Sequence, residues 1–242
     1  MNYWTTLVGW GYDVPPKSNA NYGWILNMVS KLSENGVAGF ILANGALSGG
    51  GEEYKIRRKL IENNLVEAII IIPRDTFYTT DISVTLWILN KNKKERTVSK
   101  NDLPTGQTGQ KRNYRNREKE ILFMDLRRWG SEYEKKYVEL TEKDIEDVAL
   151  NYHKWQTSTS SASQGGYRDV PEFCKSASFE DVEANDFSLV PSKYIEFVDK
   201  DSGIDFDTEM KRIQKDFTTL LKEEKDSQNQ LIKAFKTLGY EL

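Results

Sequence analysis

Residues 37–89 read VAGFILANGALSGGGEEYKIRRKLIENNLVEAIIIIPRDTFYTTDISVTLWIL. The apolar runs Val37–Ala43 and Ala68–Ile72 are continuous rather than alternating, as expected of strands covered by helices on both faces. That pattern puts Val37–Ala43 at the centre of a sheet. Gly49-Gly50-Gly51 breaks the chain before a helix predicted from about Glu52 to Asn63. Its Ile56, Leu60 and Ile61 are spaced to face inward, and Lys55, Arg57, Arg58 and Lys59 to face outward. After the segment Pro73–Asp81 a third strand is predicted at Ile82–Leu89. This succession of helix and strand reads as part of an open α/β sheet.

Upstream, Met1–Asn19 shows neither helical nor strand period and reads as loop. Trp24, Ile25, Met28, Val29 and Leu32 then share one helical face until Asn35-Gly36 stops the helix. Downstream, residues 99–119 carry Thr, Gly, Gln, Asn, Lys and Arg with almost no apolar side chains, the composition of a mobile insertion. ILFMDL at 121–126 resumes as a strand. Thr141, with Asp144 three residues on, resembles a capping box for a helix that turns Ile145, Val148, Ala149 and Tyr152 inward and ends near Trp155. TSTSSASQGG at 157–166 reads as a linker or an exposed loop. From about Asp207 to Gly239 the chain is one long charged helix or a helix pair. Its Met210, Ile213, Phe217 and Leu220 step by three and four residues, and Leu231 and Leu238 continue the heptad phase beyond Glu224 and Ser227. Two regions follow: 1–155, an α/β part with its insertion at 99–119, and 156–242, mainly helical with a coiled-coil-like segment.

Composition narrows the functions available. With 38% hydrophobic residues in 242, the chain can bury a real core. Its 34 Lys and Arg against 37 Asp and Glu give a formal charge of -3, so no global field draws it to nucleic acid. Any such contact has to use local basic patches. One cysteine, Cys174, and one histidine, His153, exclude a disulfide framework and a Cys/His metal cluster and suit a reducing cytoplasm. His153 sits near a helix end and is assigned no role. No apolar run approaches the roughly 20 residues of a membrane span, and the N-terminus lacks a signal pattern.

Four stretches carry a family likeness. PPKSNANYGWILNMVSKLSENGVAGFILANGALS at 15–48, GGEEYKIR at 50–57, LVEAIIIIPRDTFYTTDISVTLWIL at 65–89 and ILFMDL at 121–126 together resemble the modification subunits of type I restriction-modification systems, which are adenine-N6 DNA methyltransferases. NDFSLVPSKYI at 185–195 is similar to the family's sequence before its C-terminal helices. The resemblance implies a class I methyltransferase, or Rossmann-like, sheet that binds S-adenosylmethionine at strand carboxyl ends. The strands found here would be its last three. The family's glycine loop after the first strand and its Asn-Pro-Pro-aromatic motif after the fourth are absent from this sequence. Pro15-Pro16 instead matches a second, non-catalytic Pro-Pro of the family and reads as a loop element. Methyl transfer to an exocyclic amine needs that amine positioned by acceptors, so the isolated chain is expected to be inactive and to bind no cofactor alone.

Within this resemblance Phe77 would stack on a flipped adenine, with Tyr78 as a neighbour able to substitute. The structural alternative is that Phe77 caps the core beneath its loop. Lys55, Arg57, Arg58 and Lys59, and in the insertion Lys111, Arg112, Arg115 and Arg117, are the candidates for DNA phosphate contacts. The alternatives are a solvated helix face and an ordinary loop. Gly49–Gly51 is followed by no Gly-Lys-Ser/Thr and reads as a turn. Met210, Ile213, Phe217, Leu220, Leu231 and Leu238 would form an interface with the specificity subunit, and the restriction subunit is a further candidate partner; packing back on the same domain is the other option. Two functions stay open: a piece of a methyltransferase completed by another chain, or a non-catalytic assembly module. In either, loss of the first strands leaves an apolar sheet edge open to self-association.

Overall fold

The computed structural model describes residues 11–98, 112–134, 136–157, 166–198 and 205–239. They fall into two compact units that divide after Val198. Lys111, the Ser-rich stretch 158–165 and the first ten residues lie outside the described set.

The first unit is a mixed α/β body. Helix α1 (Asn21–Lys31) precedes β1 (Val37–Ala43); α2 (Gly51–Glu62), β2 (Val66–Ile72) and β3 (Val84–Asn90) follow. A short pair β4 (Arg96–Val98) and β5 (Arg112–Tyr114) leads to β6 (Glu120–Asp125), the hairpin β7 (Ser131–Tyr133) and β8 (Tyr137–Glu139), and α3 (Glu142–Thr157). Strand β9 (Cys174–Ser178) and α4 (Phe179–Ala184) close it. The main sheet runs β1-β3-β2-β6-β9, with β2 and β6 parallel and the other pairs antiparallel.

Strand β2 explains why an apolar run need not alternate. All seven of its residues are buried. Ile69 joins the core under α1 and α2 with Ile25, Ile56, Leu60 and Trp87, while Ala68 and Ile70 face Leu122, Met124 and Trp155 on the α3 side. One strand thus serves two cores on alternate residues.

Several expectations are corrected. Val37–Ala43 is not central, as its apolar run suggested, but lies at the sheet edge, as loss of the first strands would leave it: among the described residues β1 pairs with β3 alone, Phe40 is its one buried residue, and Val37 and Ile41 are exposed. Its apolar character prepares it for cover that the described residues do not provide. The capping box at Thr141 and Asp144 is present, each side chain bonding the other's backbone amide. Of the α3 residues expected inward, however, Ile145 and Ala149 are exposed; only Val148 and Tyr152 reach the core. Residues 166–198, grouped above with the C-terminal helices, contribute β9 to the sheet. That strand, CKSAS, is too short and polar to announce itself.

The polar segment before β6 is not loose where it is described. Arg117 and Glu67 form an ion pair at 3.1 Å with both side chains fully buried. Asn90 and Gln156 donate to the same carboxylate, and Arg117 also donates to the carbonyls of Arg115 and Gln156. Glu67 lies where the β2–β3 register slips between Val66 and Ala68. Beside it the buried Lys93 donates to the carbonyls of Val66 and Glu120.

The second unit is helix α5 (Phe206–Thr237), one continuous helix of 32 residues capped by Asp205. Met210, Ile213, Phe217, Leu220, Leu231 and Leu238 are all exposed. No helix among the described residues is long and apolar enough to cross a membrane.

Two outcomes follow for stability. Glu67→Gln leaves the Arg117 charge buried without its counter-ion and should cost about 3–5 kcal/mol in urea unfolding; a loss below ~1 kcal/mol would mean that the pair is not buried. Burial, the largest cause, pushes Lys93 down from 10.5 to about 8. The unfolded chain then holds this proton more firmly, so stability rises with pH between those values. Wild type should gain on Lys93→Met between pH 8 and 10, and a constant difference would contradict the burial.

Candidate functional site

The carboxyl ends of β1, β2 and β6 and the amino end of β3 converge on one open cleft of about 700 Å³. Strand ends collect polar groups because backbone pairing stops there, and in open α/β sheets this is where ligands bind. Asn44 and Ser48 come from the turn after β1, Arg74 from the loop after β2, Asp81 and Ser83 from the approach to β3, and Arg127 from beyond β6. The Asn44 side-chain oxygen Oδ1 accepts from the buried Thr85 hydroxyl at 2.5 Å, which fixes that side chain at the rim. Arg127 is held by Asp125, whose carboxylate it meets at 2.6 Å and which raises its pKa above the usual guanidinium value.

The loop Pro73–Asp81 forms one wall. Asp75 adopts a left-handed backbone with φ of 59°, uncommon for a residue with a side chain. Arg74 pairs with its carboxylate at 2.7 Å, and the Thr76 hydroxyl donates to the Pro73 carbonyl. A tight turn joins Phe77 to Thr80. Phe77 is half-buried at this turn and Tyr78 is 73% exposed; neither lines the cleft, to which the loop contributes Arg74 and Asp81.

The candidate cations divide sharply. Arg57, expected to face solvent, is 2% exposed: it donates to the carbonyls of Gly49 and Phe187 and to the Tyr22 hydroxyl. It braces the glycine turn from within, and no phosphate reaches it. Arg117 is likewise excluded by its buried pairing with Glu67. Arg115 donates to the Trp155 carbonyl and forks onto Glu120, which leaves little of its guanidinium available. Lys59 bonds the Gly11 carbonyl and Asp13. Lys55 and Arg58 stay exposed on α2, Arg58 paired with Glu62, and Arg112 is half-exposed on β5. The structure does not gather these side chains at the cleft.

Sequence reading missed Asn44, Arg74, Asp81, Ser83 and Arg127. They come from separate segments and form no linear motif. Their one shared signal is position just beyond a strand end.

Residues 4–202 match the N-6 DNA methylase family. The HindI methylase subunit of a type I restriction enzyme from Haemophilus influenzae is 34% identical over 96% of this chain and 46% of its own length. The MjaIX methylase subunit of Methanocaldococcus jannaschii is 30% identical over 94% of this chain and 36% of its own. The chain thus spans less than half the length of these curated relatives. Among solved structures, a type I restriction-modification methyltransferase subunit from Streptococcus thermophilus superposes with a TM-score of 0.59 at 24% identity, over 76% of this chain and 32% of that one. The EcoKI M protein gives 0.51 at 14% identity, over 76% and 39%. Both likenesses concern the fold.

Arg57→Lys should lower stability by about 2–3 kcal/mol, because an ammonium cannot fork between the Gly49 and Phe187 carbonyls. A urea midpoint equal to wild type would remove Arg57 from its bracing role.

Proposed function

We propose that this chain, which belongs to the N-6 DNA methylase family, is the C-terminal part of an adenine-N6 DNA methyltransferase subunit in a type I restriction-modification system, and that it modifies DNA only when the rest of the fold is supplied. The observation that carries this reading is the unfinished edge of the sheet. Among the described residues strand β1 is apolar yet paired on one side only, with Val37 and Ile41 exposed, in a chain that spans less than half the length of the curated relatives it matches. An apolar edge strand is stable in isolation only at the cost of self-association, and another strand satisfies its backbone groups.

S-adenosylmethionine is the cofactor of the complete enzyme in this reading, but the residues present do not fit it. At Gly49 the glycine turn is taken up by the protein's own side chains and offers no cradle there. Arg57 takes the Gly49 carbonyl, and a β-carbon at Gly49 would meet the Glu53 carboxylate at 1.9 Å. The Asn-Pro-Pro-aromatic motif is absent from the sequence. The chain's own contribution is the far wall of the target-base site: Phe77 on its turn as the stacking face, Tyr78 beside it, and the polar cleft between Asn44 and Arg127. Lys55, Arg58 and Arg112 are the cations left for DNA phosphates.

Helix α5 favours a second contribution, to assembly. Its exposed apolar row, flanked by the Arg212 pairs with Glu209 and Asp216, has the character of a helix seeking another helix. A specificity subunit is the proposed partner, with the restriction subunit joining the same complex.

Calorimetric titration of S-adenosylmethionine should give no heat with this chain and saturable binding once a fragment carrying the two missing motifs is added. Binding by the chain alone would overturn the assignment. In the complemented enzyme Phe77→Ala should lower methylation about tenfold or more, the value of a lost base stack. Phe217→Glu with Leu231→Glu should abolish capture of the specificity subunit, and undiminished capture would rule out α5 as its contact.

A further inference from the structure

The hairpin β7–β8 has no place in either hydrophobic core. It forms its own two-stranded sheet, and every residue of β7 is exposed. A two-stranded hairpin is marginal by itself, so its persistence depends on what it touches. What it touches is the loop Pro73–Asp81, by three kinds of contact. The Val138 amide donates to the carbonyl of Asp75 at 3.0 Å. The ring of Tyr137 meets that of Tyr78 edge to face, centroids 4.8 Å apart at 73°. Lys136 reaches the Asp81 carboxylate at 3.2 Å.

These contacts fall at the start, middle and end of the loop. The first lands on Asp75, the residue in the left-handed conformation, where outside support is most needed. Gly130 lets the hairpin fold: it sits at φ of 88°, and a β-carbon there would meet the Glu139 carbonyl oxygen at 2.8 Å. Tyr133 pairs directly with Tyr137 across the hairpin, so the two rings share one face.

We propose that the β7–β8 hairpin is a brace that sets the conformation of the Pro73–Asp81 loop, with Tyr137 as its positioning residue. Its bearing on base capture rests on the assignment of Phe77 above, but the brace stands on its own contacts. Tyr137 touches no substrate in this scheme. It holds Tyr78, the residue next to Phe77, while the Val138 amide holds Asp75, so the turn that presents Phe77 is fixed from both sides.

Amide hydrogen exchange on the full chain tests it. Tyr137→Ala should speed exchange of the Thr80 amide, which donates to Phe77 within the turn, and of the Val138 amide, which donates to Asp75, about tenfold, with the β2 and β3 amides unchanged as the internal control. Tyr137→Phe should keep wild-type rates, because the edge contact needs the ring and not the hydroxyl. Loop exchange unchanged in Tyr137→Ala would overturn the proposal. Should that variant also expose β2 and β3, Tyr78→Ala decides, since it removes the same contact from an exposed side chain: loop exchange faster by about tenfold supports the brace, and unchanged exchange overturns it. The methylation assay of Phe77→Ala is independent, so a failed stacking assignment and a failed brace are told apart.

Discussion

A carboxylate buried inside the sheet governs how this chain closes. Glu67 lies at the start of the most buried strand, and an isolated charge there would cost several kcal/mol. Its partners come from three directions: Asn90 at the end of β3, Arg117 from the turn before β6, and Gln156 from the last turn of α3. Satisfying one oxyanion therefore fixes where the polar segment returns and where the helix that covers the second face ends. The tryptophan beside Gln156 reinforces the arrangement, since Arg115 and Arg117 both lie over the Trp155 ring.

The opposite end of the sheet has the opposite character. There the strands stop, backbone pairing ends, and separate segments of the chain place polar side chains around one cleft. The loop on its wall is held by an ion pair, by hydroxyl and backbone bonds within itself, and by a hairpin from beyond β6. Rigid strands beneath and a braced loop above fit the role proposed for Phe77, which calls for a set orientation. The body is thus anchored by a buried polar network at one end and opens a site at the other.

Charge explains why the basic residues divided as they did. Helical spacing alone turns the four cations of α2 away from Ile56, Leu60 and Ile61, and a guanidinium is rarely buried. Arg57 is the exception, since the glycine turn and the segment at Phe187 bring two carbonyls to the positions its fork requires. Arg117 is buried for a related reason, with Glu67 supplying the counter-charge. Neither partner is near in sequence: Phe187 is 130 positions from Arg57, and Glu67 is 50 from Arg117. No local pattern announces such pairs.

What the sequence determined by itself was local and periodic. The helix after Asn21, the unbroken apolar run of β2 and the capping box at Thr141 are each written within a few turns of chain and each forms, although Trp24, expected on the inward face of its helix, is exposed; the heptad residues of α5 lie on one continuous helix and are exposed. The family likeness, too, was carried by contiguous stretches. For VAGFILA the apolar composition pointed to a central strand and the family likeness to an open edge, and only the pairing decided between them: among the described residues β1 bonds to β3 and to no other strand. Tertiary structure also decided that CKSAS is a strand, through pairing with β6 rather than any propensity of its own. The cleft belongs to this second class, because its residues are distant in sequence and meet only where strands end. Periodicity reports which face of an element is apolar; what that face or end will meet depends on contacts between segments far apart in the chain.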